Sequence, residues 1–320
     1  MSFDSCKEEV QIPYIDLPKE LVESKQGNEE WKELCRKMRE AGEEYGCFMV
    51  VGYDGVPTEL REEMFMAMKD LFDLPIETKK KNSNPQQYRG YIGNSELVPL
   101  YEGLGIDNAP CPDAAQAFTQ LMWPHGNPAF CRIMNSMSRK MHELELLLRR
   151  MILESYGMPT YFDALAEVTH PIFRMIKYKS PPASDEAGLG LVAHTDKSFL
   201  TILCQDQVKG FELLTKQGHW LQFSPVQGSF LVVVGEMFKV WSNGRLHAAE
   251  HRVVMRGDKE RWTRTTLFST DPSSTWNSST ISTPTSAETH SRSMLAFDPI
   301  SLSWIMIKIS NIYLVKVSFV

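Results

Sequence analysis

The sequence predicts a mixed α and β chain, with a helical N-terminal region followed by a β region of sandwich or jelly-roll type. Two observations predict it. Apolar residues recur at three- and four-residue steps through residues 1–160. From about Pro171 to Pro272 they fall instead into many short runs, separated by turn signals every eight to twelve residues.

The first helix starts at Asn28, a residue type that caps helix N-termini, and Trp31, Leu34, Cys35, Met38, Ala41 and Tyr45 follow on one face until Gly46. Cys47 to Val51 is a short buried strand. A second helix runs from about Thr58 to Asp73, with Leu60, Met64, Ala67, Met68 and Leu71 inward, and Pro75 marks its end. A third runs from about Pro128 to Tyr156, where Met134, Met137, Met141, Leu144, Leu148 and Met151 form one stripe. Methionine packs irregular interiors well, so the stripe is read as core. Asn82 to Trp123, with Pro85, Gly90, Gly93, Pro99, Gly103, Gly105, Pro110 and Pro112 among Tyr88, Tyr91 and Tyr101, is expected to be a long irregular segment, either a functional loop lining a substrate or plain surface. The later strands are Ile172 to Tyr178, Phe199 to Cys204, Phe211 to Leu214, Trp220 to Phe223, Phe230 to Val234, Val253 to Met255 and Trp262 to Phe268.

Bulk properties exclude several function classes. With 42% hydrophobic and 23% charged residues, the 320-residue chain is an ordinary globular protein. A net charge of −6 without basic blocks argues against a nucleic-acid or membrane-surface partner. The six cysteines form neither a zinc spacing nor a disulfide framework, and the acidic N-terminus lacks an apolar signal region, so a cytoplasmic, monomeric protein is expected. Ser273 to Ser286 is rich in serine and threonine and reads as loop or disorder. In the tail, Ile305, Ile307 and Ile309 alternate as in a strand, and Lys308 and Lys316 argue against a membrane span.

Within the β region, His194-Thr195-Asp196 places an imidazole and a carboxylate two residues apart on extended chain, on one side. A third ligand from elsewhere would complete a two-histidine, one-carboxylate iron(II) site that leaves coordination positions open. His251 is the preferred candidate and His247 its rival. The two lie roughly 13 Å apart on a strand at about 3.3 Å per residue, so one site cannot use both. Oxygen activation at such an iron needs two electrons beyond those of a substrate C–H bond, and a 2-oxo acid supplies them by oxidative decarboxylation. Its far carboxylate calls for an arginine, whose planar fork matches it, and a hydroxyl. Arg261 and Thr263 share one strand face and are preferred. Arg264 with Thr266 offers a like pair on the opposite face, and Tyr178 is a further donor.

Several runs carry a resemblance: Leu189 to Asp196, Leu200 to Asp206, Trp241 to Leu246 and His251-Arg252-Val253, with Ile12 to Leu17 and Tyr45 to Phe48 near the start. Over about residues 10–272 the chain resembles the plant 2-oxoglutarate- and iron(II)-dependent dioxygenases. Asp73-Leu74-Pro75, Gly90-Tyr91, Gly103 to Ile106 and Leu121 to Pro124 are most similar to the AOP-type subgroup. The resemblance implies a double-stranded β-helix (jelly-roll) core at 161–272 behind a helical region at 1–160, with an atypical tail at 273–320. It implies His194, Asp196 and His251 as iron ligands and Arg261, Thr263 and Tyr178 as the 2-oxoglutarate anchor, Ile176 replacing the family's asparagine. The implied reaction is hydroxylation or desaturation of a small specialised metabolite with iron(II), 2-oxoglutarate and O2, ascorbate being a further candidate reductant. One extra residue between Thr263 and Phe268 leaves the choice of arginine open, and the family's closing helix has no counterpart after Pro272. Two other readings stand beside this one: an iron oxidase that does not consume the oxo acid, and a jelly-roll protein silenced by its tail.

Overall fold

The computed structural model describes residues 12–18, 27–86, 89–93, 95–167 and 169–270. The expected loop at 273–286, the alternating isoleucines of the tail and Tyr88 lie outside them.

Three helices carry the N-terminal layer. α1 (Glu29–Glu44) begins where the Asn28 side chain accepts the Trp31 amide at 2.7 Å, and it buries Trp31, Leu34, Cys35, Met38 and Ala41. α2 (Thr58–Phe72) follows the strand β2 (Cys47–Val51) and closes at Asp73, so that Pro75 opens the single-turn α3 (Ile76–Lys79) rather than breaking α2. The stretch 82–123 departs from the expectation of an irregular segment. It contains the strand β3 (Tyr101–Asp107) and the helix α4 (Pro112–Met122). Pro112 sits at the helix start, where its missing amide costs nothing, and Gly103 and Gly105 are strand residues that admit a neighbour closely. α5 (Pro128–Ser155) buries the whole methionine stripe as core. α6 (Phe162–Glu167) leads into the β region.

That region supplies β4 (Thr169–Tyr178), β5 (Ala187–His194), β6 (Leu200–Gln205), β7 (Phe211–Leu214), β8 (Trp220–Gln222), β9 (Phe230–Val234), β10 (His251–Arg256) and β11 (Arg261–Thr270), with the short α7 (Glu236–Trp241) after β9. With β1 (Tyr14–Asp16) they form a seven-stranded sheet of order β1-β2-β9-β6-β11-β4-β3 and a four-stranded sheet of order β5-β10-β7-β8. Two facing antiparallel sheets are the jelly roll. The pairing of β1 with β2 is the parallel exception. The N-terminal region thus does more than pack helices, since β1, β2 and β3 extend the large sheet.

Alternation assigns the faces. Phe48, Val50, Phe173, Met175, Ile202, Cys204 and Val232 point toward the helices and join α1, α2 and α5 in the largest core. On the other face, Cys47, Met49, Leu203, Leu231 and Val233 meet Phe211, Leu213 and Leu221 of the small sheet. Tyr101, Ile176 and Tyr178 meet Val253 and Met255. Arg261, Thr263 and Tyr178, expected from the sequence to anchor an oxo acid, share this inner face. Among the described residues, five cysteines are free thiols and no helix is long and apolar enough to cross a membrane.

Candidate active site

The small sheet positions the first two residues. β5 and β10 run antiparallel with His194 directly opposite His251, so the two imidazoles leave adjacent strand ends together, their ring centroids 4.3 Å apart. Asp196, just past β5, turns its carboxylate between them. Its Oδ1 lies 3.6 Å from His194 Nε2 and 3.8 Å from His251 Nε2. One ligand atom from each of the three residues falls within 4.8 Å of the others, which is the spacing of donors around a single metal ion. The rival His247 is drawn elsewhere: its backbone amide donates to the Gly42 carbonyl of α1.

Neighbours fix the orientation. His194 Nδ1 lies 2.8 Å from the Val192 carbonyl and His251 Nδ1 lies 3.1 Å from that of Ala249. A carbonyl only accepts, so each Nδ1 carries a proton and each Nε2 is the nitrogen left facing Asp196, the one that would offer its lone pair to a metal. Phe211 stacks on the His251 ring at 5.1 Å. Gly235 ends β9 here because a side chain would strike the Ser198 carbonyl.

Protonation follows the surroundings. Burial works against ionisation of Asp196, but His251 and His194 outweigh it and hold the carboxyl well below its ordinary range. Burial and the neighbouring His194 push His251 down to about 4. At His194 burial opposes the proton and the Asp196 carboxylate overrides it, so this pKa is raised. A carboxylate flanked by two imidazoles, one of them neutral, is the donor set a divalent ion takes. Asp196 Oδ2 is buried with no hydrogen-bond partner, an orphaned acceptor that a cation would satisfy. The residues fit iron(II).

On the large sheet, register turns the two arginines to opposite faces. Arg261 pairs with Tyr178 across β11 and β4, and Thr263 pairs with Gln205 across β11 and β6, all on the inner face. The Arg261 guanidinium is 5.2 Å from the Tyr178 ring centroid and donates to Gln205 Oε1 at 2.5 Å. Its Nε and Nη1 and the Thr263 Oγ1 are buried without partners, which suits an incoming carboxylate. Burial shifts the Arg261 pKa down and that of Tyr178 up. Arg264 and Thr266 face the helices instead. Arg264 donates to the Arg61 carbonyl and to Cys204 Sγ and lies 3.8 Å from the Phe65 ring centroid, while Thr266 reaches Met141 Sδ.

Two participants escaped sequence reasoning. Gln205 binds Arg261, and only its pairing with Thr263 reveals that it faces inward. Gly190 leaves room for the Tyr178 ring, since a Cβ there would stand 2.8 Å from Tyr178 Cδ1. Glycine inside a strand pattern was the signal available for it.

A jelly roll carrying two histidines and an aspartate at one strand end defines the class of non-haem iron oxygenases. Comparison with known proteins narrows this. The 2OG-Fe(II) oxygenase superfamily matches residues 169–270, and the N-terminal family described as non-haem dioxygenase in morphine synthesis matches residues 12–125. The probable 2-oxoglutarate-dependent dioxygenase AOP1.2 of Arabidopsis thaliana is 42% identical over 264 residues, covering 81% of this chain and 80% of the relative. The solved 2-oxoglutarate complex of the Arabidopsis thaliana dioxygenase for auxin oxidation is 32% identical, with a TM-score of 0.73 over 82% of this chain and 93% of that one. The corresponding rice structure is 31% identical, with a TM-score of 0.67 over 80% of this chain and 82% of that one. The chain belongs to the 2-oxoglutarate- and iron(II)-dependent oxygenase family, and is similar within it to the AOP-type enzymes. It is a dioxygenase that uses iron(II) and 2-oxoglutarate.

Proposed function

We propose that His194, Asp196 and His251 hold the iron, that Arg261, Thr263 and Tyr178 bind the far carboxylate of 2-oxoglutarate, and that the substrate is a small specialised metabolite undergoing hydroxylation or desaturation. The observation that carries this reading is the convergence of the three donor atoms within 4.8 Å, beside a line of partnerless polar atoms on β11. Bound iron(II) would activate O2, which is the oxidant, with two electrons from oxidative decarboxylation of the oxo acid to succinate and CO2 and two from the substrate.

The protein's share is positioning and exclusion of water. The Val192 and Ala249 carbonyls keep both Nε2 lone pairs toward one point, and the Phe211 ring prevents His251 from turning. Arg261 clamps the anionic end of the co-substrate, with Gln205 holding one edge of its fork. Val253, Met255 and Ile176 close the space around it to water. In this reading residues 161–272 carry both sites, and the helical region at 1–160 buttresses the large sheet. A small-molecule substrate is in keeping with the auxin-oxidising structural relatives. The net charge of −6 and the free thiols support a cytoplasmic monomer without nucleic-acid or membrane partners.

The test pairs metal titration with product analysis. Calorimetry of Mn(II) should show wild-type and His247→Ala protein binding alike, and Asp196→Ala and His251→Ala at least about 100-fold weaker, beyond the loss usual for removing an outer-shell partner. Succinate should form in air and cease without O2. Equal succinate in both atmospheres, or undiminished metal binding by both ligand variants, overturns the reading.

A further inference from the structure

A second guanidinium faces the same interior. Arg174 lies on β4 in alternation with Ile176 and Tyr178, and it is 4% exposed. Among the described residues its hydrogen bonds go to neutral groups: Nη2 donates to the Tyr101 hydroxyl at 2.9 Å and Nη1 to the Gly90 carbonyl at 3.5 Å. Among the described residues no carboxylate reaches it. Glu102, the acid next to Tyr101 on β3, belongs to the opposite face and is engaged by Lys79 at 2.7 Å and Tyr91 at 2.9 Å. A buried cation with neutral partners alone is costly, and an anion is what relieves it.

The surroundings seat the guanidinium closely. Gly103 and Gly105 lie beside the guanidinium, and a Cβ at either would stand 2.9 Å from one of its nitrogens, so β3 gives up two side chains to seat it. Thr265, directly across from Arg174, is 5% exposed, and its Oγ1 is buried without a hydrogen-bond partner. Arg264 is as deeply buried but sealed between sheet and helices, with no such cradle.

Register separates this position from the co-substrate anchor. Along β11 the inner face presents Arg261, Thr263, Thr265 and Leu267 in turn, paired on β4 with Tyr178, Ile176, Arg174 and Ile172. Leu267 also pairs with Thr201, whose hydroxyl is 2.9 Å from Ser198 Oγ, close to Asp196. Arg174 and Thr265 therefore stand between the anchor end and the end that carries Asp196. One far carboxylate of 2-oxoglutarate accounts for Arg261 and Thr263. We propose that Arg174, Tyr101 and Thr265 form a second anion pocket, which binds the carboxylate of an acidic organic substrate and aims its carbon skeleton at the metal. This assignment rests on the proposed function for its iron and oxo-acid sites.

The experiment uses calorimetry on protein loaded with Mn(II) and the inert oxo-acid analogue N-oxalylglycine. The probes are phenylacetate, hydrocinnamate and their primary amides. Wild-type protein is expected to prefer acid over amide by tenfold or more. Arg174→Gln should abolish that preference while keeping its affinity for N-oxalylglycine, and Arg174→Lys should restore part of it. Should Arg174→Gln fail to fold, Tyr101→Phe and Thr265→Val carry the same readout. An unchanged preference in the variants, the loss of N-oxalylglycine affinity instead, or no acid preference in the wild type overturns the pocket. Absent heat for Mn(II) or N-oxalylglycine, with the acid preference intact, faults the proposed function and leaves this pocket standing.

Discussion

Arg261 and Arg264 are three residues apart on one strand and equally buried, yet their surroundings differ in kind. Arg261 keeps two nitrogens without partners on the inner face, whereas Arg264 is bonded to the Arg61 carbonyl and Cys204 and packed on Phe65. Opposite consequences are predicted. Arg261→Gln should raise the KM for 2-oxoglutarate by roughly 30-fold or more, since losing one side of a buried charge-assisted pair costs about 2–5 kcal/mol, with little change in melting temperature. Arg264→Gln should lower the melting temperature and leave that KM within about twofold, because its contacts are structural. Steady-state kinetics and thermal denaturation of the two variants check both, and the reverse outcome would reassign the anchor. No periodicity argument separates these residues. Alternation shows that they face opposite ways, but not which way is inward.

At the scale of elements, α5 holds the large sheet on its outer side. Most of its buried face is apolar, but Glu145 and Arg149, one turn apart and fully buried, make a 2.6 Å ion pair. Arg149 also donates to Thr169 Oγ1 and the Leu165 carbonyl, tying α5 to the start of β4 and the end of α6. Removing the acid leaves a buried cation without its counter-charge, so Glu145→Ala should cost about 3–5 kcal/mol. Urea denaturation should show a lower midpoint at an unchanged slope, and kinetic constants of the remaining folded enzyme should hold. Helices of this kind were legible in the sequence, because a long apolar stripe has one periodicity and one means of burial. β3 and α4 were not. Their glycines and prolines read as loop, and only their packing shows that Gly103 and Gly105 seat Arg174 while Pro112 starts a helix.

For the whole molecule, burial predicts thiol reactivity. Cys35, Cys47 and Cys204 lie in the cores, whereas Cys111 and Cys131 are half-buried. Burial pushes the Cys35 thiol up to about 12 from 9.0, and Cys47 goes well above its ordinary range. At pH 8 a thiol reagent should therefore modify Cys111 and Cys131 well before Cys35, Cys47 and Cys204, which it should reach only as the chain unfolds. Iron(II) with 2-oxoglutarate should slow that second phase, since a ligand at 100 times its Kd stabilises by about 2.7 kcal/mol. Mass spectrometry of timed samples measures both phases, and early labelling of Cys47 would contradict the core as described. The same shift sets a pH dependence. The unfolded chain ionises Cys35 near pH 9 and the folded one near 12, so the stability this thiol contributes is present below pH 9 and lost between those values.

What the sequence determined by itself was chemistry and period: an imidazole and a carboxylate two residues apart, a second histidine, an arginine with a hydroxyl, and the change from helical to strand spacing. Those follow from local rules, because side-chain type and backbone repeat are written residue by residue. The tertiary structure decided which residues meet. It set His194 opposite His251 and away from His247, turned Arg261 inward and Arg264 outward, and left Arg174 in the interior with no acid among the described residues. Each of those outcomes depends on how one strand registers against another and on which face of a sheet the helices cover, and neither is fixed within any single segment of the chain.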